Sequence, residues 1–367
     1  MNIHYFSRSA LPSQTANSVH VMKMCSAFAG LGHTVFLYGR PGSLTASSLH
    51  DLYNVANNFS IALTRHLDVR ILGNALYAVL TFTKALRRTS FSTQDTFFYG
   101  RDIYTLALPA LAGIPFGVEV HSFPQTPRLE KTLRNLFTAR SFRGLVVISS
   151  PLRDYYQKTY GLENVFVAHD GADVPAARSR NCGCGSLRVV YAGSLYKGRG
   201  ISLIAELAER CPEYTFVIAG GSPEQIAALE SHPVNMSFTG FLRQQEVQAL
   251  LASADVLLAP YQRSVAVEGN TGDTAAFMSP LKIFEYMSHG KAIIASDLPA
   301  IREIVGATQT VCTLCDPEDT GAWEKALRDF ATNPALREVK GDAAYVLLTQ
   351  TYSWPKRARN ILEALLP

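Results

Sequence analysis

The feature that most constrains the fold is an alternation of short apolar runs with amphipathic stretches along almost the whole chain. Apolar runs bounded by turn residues suit buried strands, and the stretches between them suit helices. This order is typical of βα units and parallel sheets. In the first half, the predicted strands lie near residues 2–6, 34–38, 96–99, 116–120, 145–148 and 165–167. In the second half, they lie near residues 187–192, 214–219, 235–238, 255–259, 292–295 and 309–314.

The alternation stops once, between Asp170 and Ser186, where small and polar residues dominate. A chain of 367 residues is expected to form about two domains. We therefore predict an α/β protein with two doubly wound, Rossmann-like domains, at residues 1–170 and 185–351. An apolar helix is expected within residues 352–367.

Several classes of protein are disfavoured by the sequence. Phe6 is not followed by the Gly-x-Gly-x-x-Gly of a nicotinamide-binding domain, and a Walker sequence is absent. Cys182 and Cys184 lie far from the pair Cys312 and Cys315, so we favour reduced structural thiols over zinc. No signal peptide or spanning segment is expected, which favours the cytoplasm.

Positive charge is concentrated in the first half, where residues 1–165 carry 16 Lys or Arg and 8 Asp or Glu. One helix-like stretch holds Lys84, Arg87 and Arg88, and a second, at residues 128–143, has leucines at helical spacing. A solvated helix face is the plainer interpretation. Peripheral contact with an anionic membrane at its inner face is the alternative hypothesis. Nucleic acid is disfavoured, because no recognition motif accompanies the charges.

The stretch from Ser279 to Gly290 is typical of a loop followed by a short helix, and the apolar run at residues 292–295 predicts a buried strand after it. The N-terminus of such a helix offers free amides and a positive dipole to a diphosphate. Glu285 lies one turn inside, where its carboxylate could accept hydrogen bonds from two vicinal hydroxyls. The segment therefore suits a nucleotide sugar.

This segment resembles the nucleotide-sugar motif of family 4 retaining glycosyltransferases, which have the GT-B fold of two Rossmann-like domains facing across a cleft. The resemblance implies that Glu285 binds the ribose and that the C-terminal helix crosses back to the first domain. The family usually has a second Glu eight residues earlier, where this chain has Phe277. Ser279, Leu281 and Lys282 are further candidates for donor contacts.

The turn after the strand at residues 187–192 is rich in glycine and cations, from Gly193 and Ser194 to Arg199 and Gly200. Glycine lets the backbone approach an anion closely, and a cation neutralises a leaving diphosphate. The family has Lys-Gly where this chain has Arg199-Gly200, and a guanidinium can hold two phosphate oxygens. A plain glycine turn with solvated bases is the alternative interpretation.

His121 ends a predicted strand in the sequence Glu119-Val120-His121. The carboxyl edge of a parallel sheet is where such folds bind ligands. Family members often carry a similar Glu-x-His, so the resemblance implies that His121 lies beside the donor sugar. A satisfied structural histidine is the alternative, and Glu119 is expected to be structural.

Three loops supply the remaining candidates. The resemblance implies that Phe241 and Leu242 border the base, and that the first loop, with Asn17 and Ser18, faces donor or acceptor. Ser18 could instead simply cap the first helix. The loop from Val267 to Ala276 contains Asn270 and Asp273, as candidate contacts to the sugar or as ordinary surface residues.

Together these observations predict a glycosyltransferase that moves a sugar from a nucleoside diphosphate donor to a hydroxyl acceptor. A glycan or lipid-linked acceptor is expected, in polysaccharide or glycolipid assembly. His121 and Arg199 are the candidate catalytic residues, and no metal or other cofactor is expected. A sugar-nucleotide epimerase and a non-catalytic nucleotide-sugar sensor remain alternatives.

Overall fold

The computed structural model describes residues 1–13, 15–44, 48–66, 70–88, 95–175, 186–229, 231–266 and 272–366, except the side chains of residues 70 and 71. The described backbone divides into two compact units. Unit 1 comprises Met1–His169 together with Trp354–Pro367, and unit 2 comprises Asp170–Ser353.

The described part of unit 1 is built on a seven-stranded parallel sheet with the order β3-β2-β1-β4-β5-β6-β7. Its strands are β1 (Asn2–Leu11), β2 (Thr34–Pro41), β3 (Ser60–Leu63), β4 (Thr96–Gly100), β5 (Phe116–Val120), β6 (Phe142–Val147) and β7 (Val165–Val167). Its helices are α1 (Ala16–Gly30), α2 (Leu49–Leu52), α3 (Arg70–Leu86), α4 (Ile103–Leu111), α5 (Pro127–Phe137) and α6 (Ser150–Tyr160), and the chain's last helix, α14 (Trp354–Leu365), packs against α1.

Unit 2 has a six-stranded parallel sheet among its described residues, with the order β10-β9-β8-β11-β12-β13. Its strands are β8 (Arg188–Ala192), β9 (Thr215–Ala219), β10 (Met236–Gly240), β11 (Val256–Ala259), β12 (Ala292–Ser296) and β13 (Thr313–Cys315). Its helices are α7 (Ile201–Arg210), α8 (Pro223–Ala227), α9 (Gln244–Ala252), α10 (Leu281–Ser288), α11 (Pro299–Val305), α12 (Thr320–Thr332) and α13 (Pro334–Leu347), which continues into a π-helical turn at Leu348–Tyr352.

Both sheets have the strand order of doubly wound Rossmann-like folds, so the predicted α/β class is confirmed. The buried strands of unit 2 place apolar side chains on both faces, which form two clusters. Val190, Leu257 and Ile293 belong to one cluster, and Val189 and Leu258 to the other. Two-sided burial explains why these strands read as continuous apolar runs.

The strand order reverses between β1 and β4 in unit 1, and between β8 and β11 in unit 2. In open parallel sheets, ligands bind outside the carboxyl ends of the strands at such a switch point. The segments that follow β8 and β11 are therefore the first place to look for a site in unit 2.

The structure of helix α5 differs from the interpretation that its leucines form an apolar face for a membrane. Leu133 and Leu136 are buried, and the helix packs against α4 and β6, so these leucines are core residues and not an interfacial face. The basic residues Arg128 and Lys131 lie on its exposed side, as the plainer interpretation holds. In the described part of the chain, no helix is long and apolar enough to cross a bilayer.

Candidate functional site

The turn after β8 lies at the switch point of unit 2 and approaches the start of α10. Gly193 donates its N–H to the carbonyl of Ala219 at 2.9 Å. The carbonyl of Ser194 accepts a 2.7 Å hydrogen bond from the Tyr191 hydroxyl. A Cβ atom at position 193 would lie 2.9 Å from Nζ of Lys282. The Lys282 ammonium therefore lies directly beside the turn, and Gly193 has a φ of +155°, which side-chain-bearing residues rarely adopt.

Arg199 and Gly200 form the end of this turn and the start of α7. Gly200 is the N-cap with φ +78°, and a Cβ there would lie 1.9 Å from the carbonyl oxygen of Pro260. The Arg199 guanidinium lies over the ring of Tyr261, 5.3 Å from its centroid, and donates to the Ala266 carbonyl at 3.3 Å. The close approach to Pro260 and Tyr261 joins the turn to the segment that follows β11.

Lys282 lies between two aromatic rings. Its Nζ atom is 3.7 Å from the ring centroid of Tyr191 and 4.8 Å from that of Tyr261. The residue is 8% exposed, and Nζ has no hydrogen-bond partner among the described residues. A desolvated ammonium is attracted to aromatic faces, but these contacts leave its hydrogen-bond donors unsatisfied. The arrangement is suited to an anionic ligand.

Glu285 lies one helical turn after Lys282 and is partly exposed. The charges of Arg199 and Glu285 both act on the pKa of Lys282 and on the pKa of Tyr261. Burial, followed by the positive charge of Arg199, holds the pKa of Lys282 well below its ordinary value, and Glu285 partly opposes this shift. Burial raises the pKa of Tyr261 to about 12, so this hydroxyl stays protonated.

The other predicted donor contacts of unit 2 lie at the start of α10 and after β10. Ser279 Oγ accepts a 2.9 Å hydrogen bond from the Asp170 amide, and Leu281 is the first residue of α10. Phe241 follows β10 and is 61% exposed, whereas Leu242 packs against the core. Phe277, which replaces the expected second Glu, is buried.

Asp273 forms hydrogen bonds to the backbone near it in sequence. Its Oδ1 atom accepts hydrogen bonds from the amides of Val265 and Ala275, both at 2.9 Å. These backbone bonds lower the pKa of Asp273. Asn270, the other candidate from this loop, lies outside the described residues. A contact between either residue and a sugar stays a prediction.

In unit 1, His121 belongs to a buried cluster centred on Glu119. Glu119 Oε1 lies 2.6 Å from His121 Nε2, 3.0 Å from His20 Nε2 and 2.9 Å from Arg357 Nη2 of α14. Its Oε2 accepts a 2.6 Å hydrogen bond from the hydroxyl of Tyr99. Glu119 is therefore structural, as expected, and it fixes the orientation of the His121 ring.

The electrostatics of this cluster keep His121 neutral. Burial, followed by the charge of Arg101, lowers the pKa of His121 to about 3 despite the neighbouring carboxylate. Burial alone would raise the pKa of Glu119, but Arg357 and the two histidines hold it well below its usual range. A neutral His121 can accept or donate a hydrogen bond, but it adds no positive charge.

Asn17 and Ser18 lie in the first turn of α1. Thr15 is the N-cap, and its side chain accepts from the Ser18 amide, so the prediction that Ser18 caps this helix is wrong. Ser18 is buried, and its hydroxyl donates to the Ser13 and Thr15 carbonyls. Asn17 donates to Ser9 Oγ at 2.6 Å and accepts from Arg101. This bond links α1 to the end of β4, at the switch point of unit 1.

Sequence reasoning missed the aromatic residues Tyr191 and Tyr261, and it missed Arg357, the ion-pair partner of Glu119. Tyr191 has the appearance of an ordinary strand residue, and Tyr261 that of a loop residue after Ala-Pro. Arg357 comes from a helix more than 200 residues away in sequence, and its ion pair with Glu119 could not be read from local spacing.

Comparisons with known proteins agree with this description. Residues 186–333, all within unit 2, match the family model described as Glycosyl transferases group 1. A comparison with curated protein sequences finds no match.

Solved structures share the fold over the full length of the chain. Sucrose-phosphate synthase from Thermosynechococcus elongatus has a TM-score of 0.72 at 13% identity, covering 99% of this chain and 97% of that one. Anabaena HepE in complex with UDP-glucose has a TM-score of 0.72 at 14% identity, covering 100% and 99%. WaaG, a glycosyltransferase involved in lipopolysaccharide biosynthesis, has a TM-score of 0.65 at 15% identity. This match covers 98% of this chain and 99% of WaaG.

The two Rossmann-like domains are thus those of the GT-B fold. The family match and this fold together support a glycosyltransferase.

Proposed function

We propose that the protein is a retaining glycosyltransferase of family 4 that moves a hexosyl or related glycosyl group from a nucleoside diphosphate sugar to a hydroxyl acceptor. We further propose that the acceptor is a cell-surface polysaccharide or glycolipid precursor. The observation that carries the proposal is the meeting of Arg199 and Lys282 over the ring of Tyr261 at the switch point of unit 2, with Glu285 one turn further along the helix of Lys282.

In this proposal, Arg199 and Lys282 hold the diphosphate, together with the backbone amides at the start of α10. Arg199 lies over Tyr261, and no described residue accepts a hydrogen bond from the Lys282 ammonium, so two cations are available to one anion. Glu285 accepts hydrogen bonds from the ribose hydroxyls. The nucleotide ligand is supported by Anabaena HepE, whose structures contain UDP and UDP-glucose.

In the transfer step, the bond between the anomeric carbon and the phosphate oxygen breaks, and a bond from that carbon to the acceptor oxygen forms. The acceptor proton goes to the departing phosphate oxygen. Preorganised charge that stabilises the leaving diphosphate is the main catalytic contribution. Because Arg199, Lys282 and backbone amides supply this charge, we propose that no metal or other cofactor is needed. His121, held neutral by its surroundings, acts as a hydrogen-bonding group for the donor sugar.

The test is consumption of a panel of nucleotide sugars in the presence of membrane and glycan acceptors. Arg199→Ala should lower turnover by about 100-fold or more, because it removes a group that stabilises the leaving diphosphate. The matched control Arg243→Ala removes an arginine that is 88% exposed in its side chain and should keep wild-type turnover. Equal turnover of Arg199→Ala and wild type would remove Arg199 from the mechanism.

A non-catalytic nucleotide-sugar sensor is the second candidate, favoured by the buried Phe277 at the position of the family's second Glu. Such a protein would bind a nucleotide sugar in calorimetry but would not consume it with any acceptor of the panel. Consumption of a donor with formation of a glycosylated acceptor excludes the sensor.

A further inference from the structure

Helix α3 of unit 1 carries an exposed apolar stripe. Leu72, Leu76, Val79 and Leu80 are 72%, 43%, 50% and 44% exposed. Their spacing places them on one face of the helix, and Arg87 continues the same face one residue after α3 ends. From Leu72 to Arg87 the stripe is about 22 Å long.

The opposite side of α3 is buried in unit 1. Tyr77, Ala78, Thr81 and Ala85 are buried, and the Tyr77 hydroxyl donates to the Ser7 carbonyl at 3.2 Å. The exposed residues therefore lie on the face of α3 opposite to the one that packs into unit 1. Contiguous exposed apolar residues mark an interaction surface more often than single ones do.

Positive charge lies at the C-terminal end of the stripe, where Lys84, Arg87 and Arg88 line one cavity. Arg87 and Arg88 are exposed at the C-terminal end of α3. Arg88 lines two open cavities. The first, of about 600 Å³, is also lined by His50, and the second, of about 400 Å³, is also lined by Lys84 and Arg87. The apolar stripe thus ends beside a cationic recess.

We propose that α3 is a docking surface for an anionic phospholipid bilayer, with the apolar stripe at the boundary between headgroups and acyl chains and the arginines on lipid phosphates. An interfacial helix needs this combination of an apolar face and cationic residues. Helix α5, the more basic helix, lacks the apolar half of the combination because Leu133 and Leu136 are buried. The surface uses none of the residues assigned to the donor.

The test is co-sedimentation of the full chain with vesicles of phosphatidylcholine alone or with about 30% phosphatidylglycerol, a content chosen to give an anionic surface. Wild type should bind the anionic vesicles in a salt-sensitive way. Leu72→Glu with Leu76→Glu should reduce binding by about tenfold or more, because it places two charges at the lipid boundary. Arg87→Glu should reduce binding by about fivefold or more, since one cation near an anionic surface contributes about this much.

Two variants serve as matched controls. Leu111→Glu makes the same exchange at a single apolar residue that is 85% exposed on unit 1, and Lys131→Glu makes the same charge change on α5. Both should bind anionic vesicles as wild type does. Thermal unfolding followed by circular dichroism should give the same Tm for all variants, because every substituted side chain is exposed.

Three results would overturn the proposal. They are absence of wild-type binding to anionic vesicles, equal binding by the α3 variants and wild type, and a wild-type dimer in size-exclusion chromatography that Leu72→Glu with Leu76→Glu dissociates. The last result would assign the stripe to a second copy of the chain. Donor consumption is measured separately, so failure here leaves the proposed transfer activity standing.

Discussion

Replacing Lys282 by Met should separate folding from ligand binding, because this lysine is unfavourable in the free protein and, in the proposed function, binds the diphosphate. Its ammonium is buried between Tyr191 and Tyr261 without a hydrogen-bond partner in the described structure. Methionine has a similar length, carries no charge and packs well against aromatic rings. The variant keeps the volume of the side chain and removes only the cation.

The two effects have opposite signs. A hydrogen bond from a charged group contributes about 1.5–3 kcal/mol, so the variant should bind a nucleoside diphosphate about 10- to 150-fold more weakly. The free energy of unfolding of the free protein should rise by about 1 kcal/mol at neutral pH, because an uncompensated buried charge is costly.

The pH dependence follows from the lowered pKa of Lys282 in the folded protein. Between that folded pKa and the unfolded value of about 10.4, the unfolded chain binds the extra proton. The free energy of unfolding therefore gains a component that rises with pH across this window, by at most about 1.4 kcal/mol per pH unit. In Lys282→Met this component is absent.

Urea unfolding at several pH values and calorimetry with UDP and GDP measure both effects. The matched control is Lys325→Met, which removes a lysine with a side chain 77% exposed on α12. It should bind the nucleotide normally and change stability by less than about 0.5 kcal/mol. A Lys282→Met variant that is less stable than wild type and binds the nucleotide with unchanged affinity would refute the reasoning.

Two further substitutions test the architecture around the site. Arg357→Met leaves Glu119 buried without its guanidinium partner and should cost about 3–5 kcal/mol of stability in urea unfolding; a midpoint equal to that of wild type would contradict the ion-pair assignment. Gly161→Ala should lower the free energy of unfolding by about 1–2 kcal/mol, and Gly200→Ala should lower it by clearly more. Both glycines have positive φ, but only at Gly200 would the Cβ collide with the Pro260 carbonyl, whereas Gly161 has open space. Equal losses would show that this collision is relieved.

The fold was largely predictable because buried parallel strands are apolar on both faces. The runs at residues 116–120 and 292–295 have nearly the bounds of β5 and β12. Strand β3, Ser60–Leu63 at the edge of the sheet, was missed. Strand β1 extends to Leu11 through an irregular register after Phe6, which local sequence does not signal.

The secondary structure of the candidate site was predictable where its residues are close in sequence. The stretch from Ser279 to Gly290 forms the predicted loop and helix, with Lys282 and Glu285 on α10. The aromatic rings around Lys282 come from β8 and from the segment after β11, and only the strand order brings them together. The apolar stripe of α3 was also hidden, because sequence periodicity cannot tell which apolar residues the sheet leaves uncovered.

Arg199 and Glu285 are proposed to hold two parts of one ligand molecule. Calorimetry with a nucleoside and with its diphosphate tests these two roles most directly. Arg199→Met should weaken binding of the diphosphate by about tenfold or more. Its affinity for the nucleoside should stay unchanged, because the nucleoside has no phosphate for Arg199 to bind. Glu285→Gln should weaken both ligands by a similar factor, since both carry the ribose. If Glu285→Gln left both affinities unchanged, or Arg199→Met weakened nucleoside and diphosphate equally, the assignment of these two residues would be wrong.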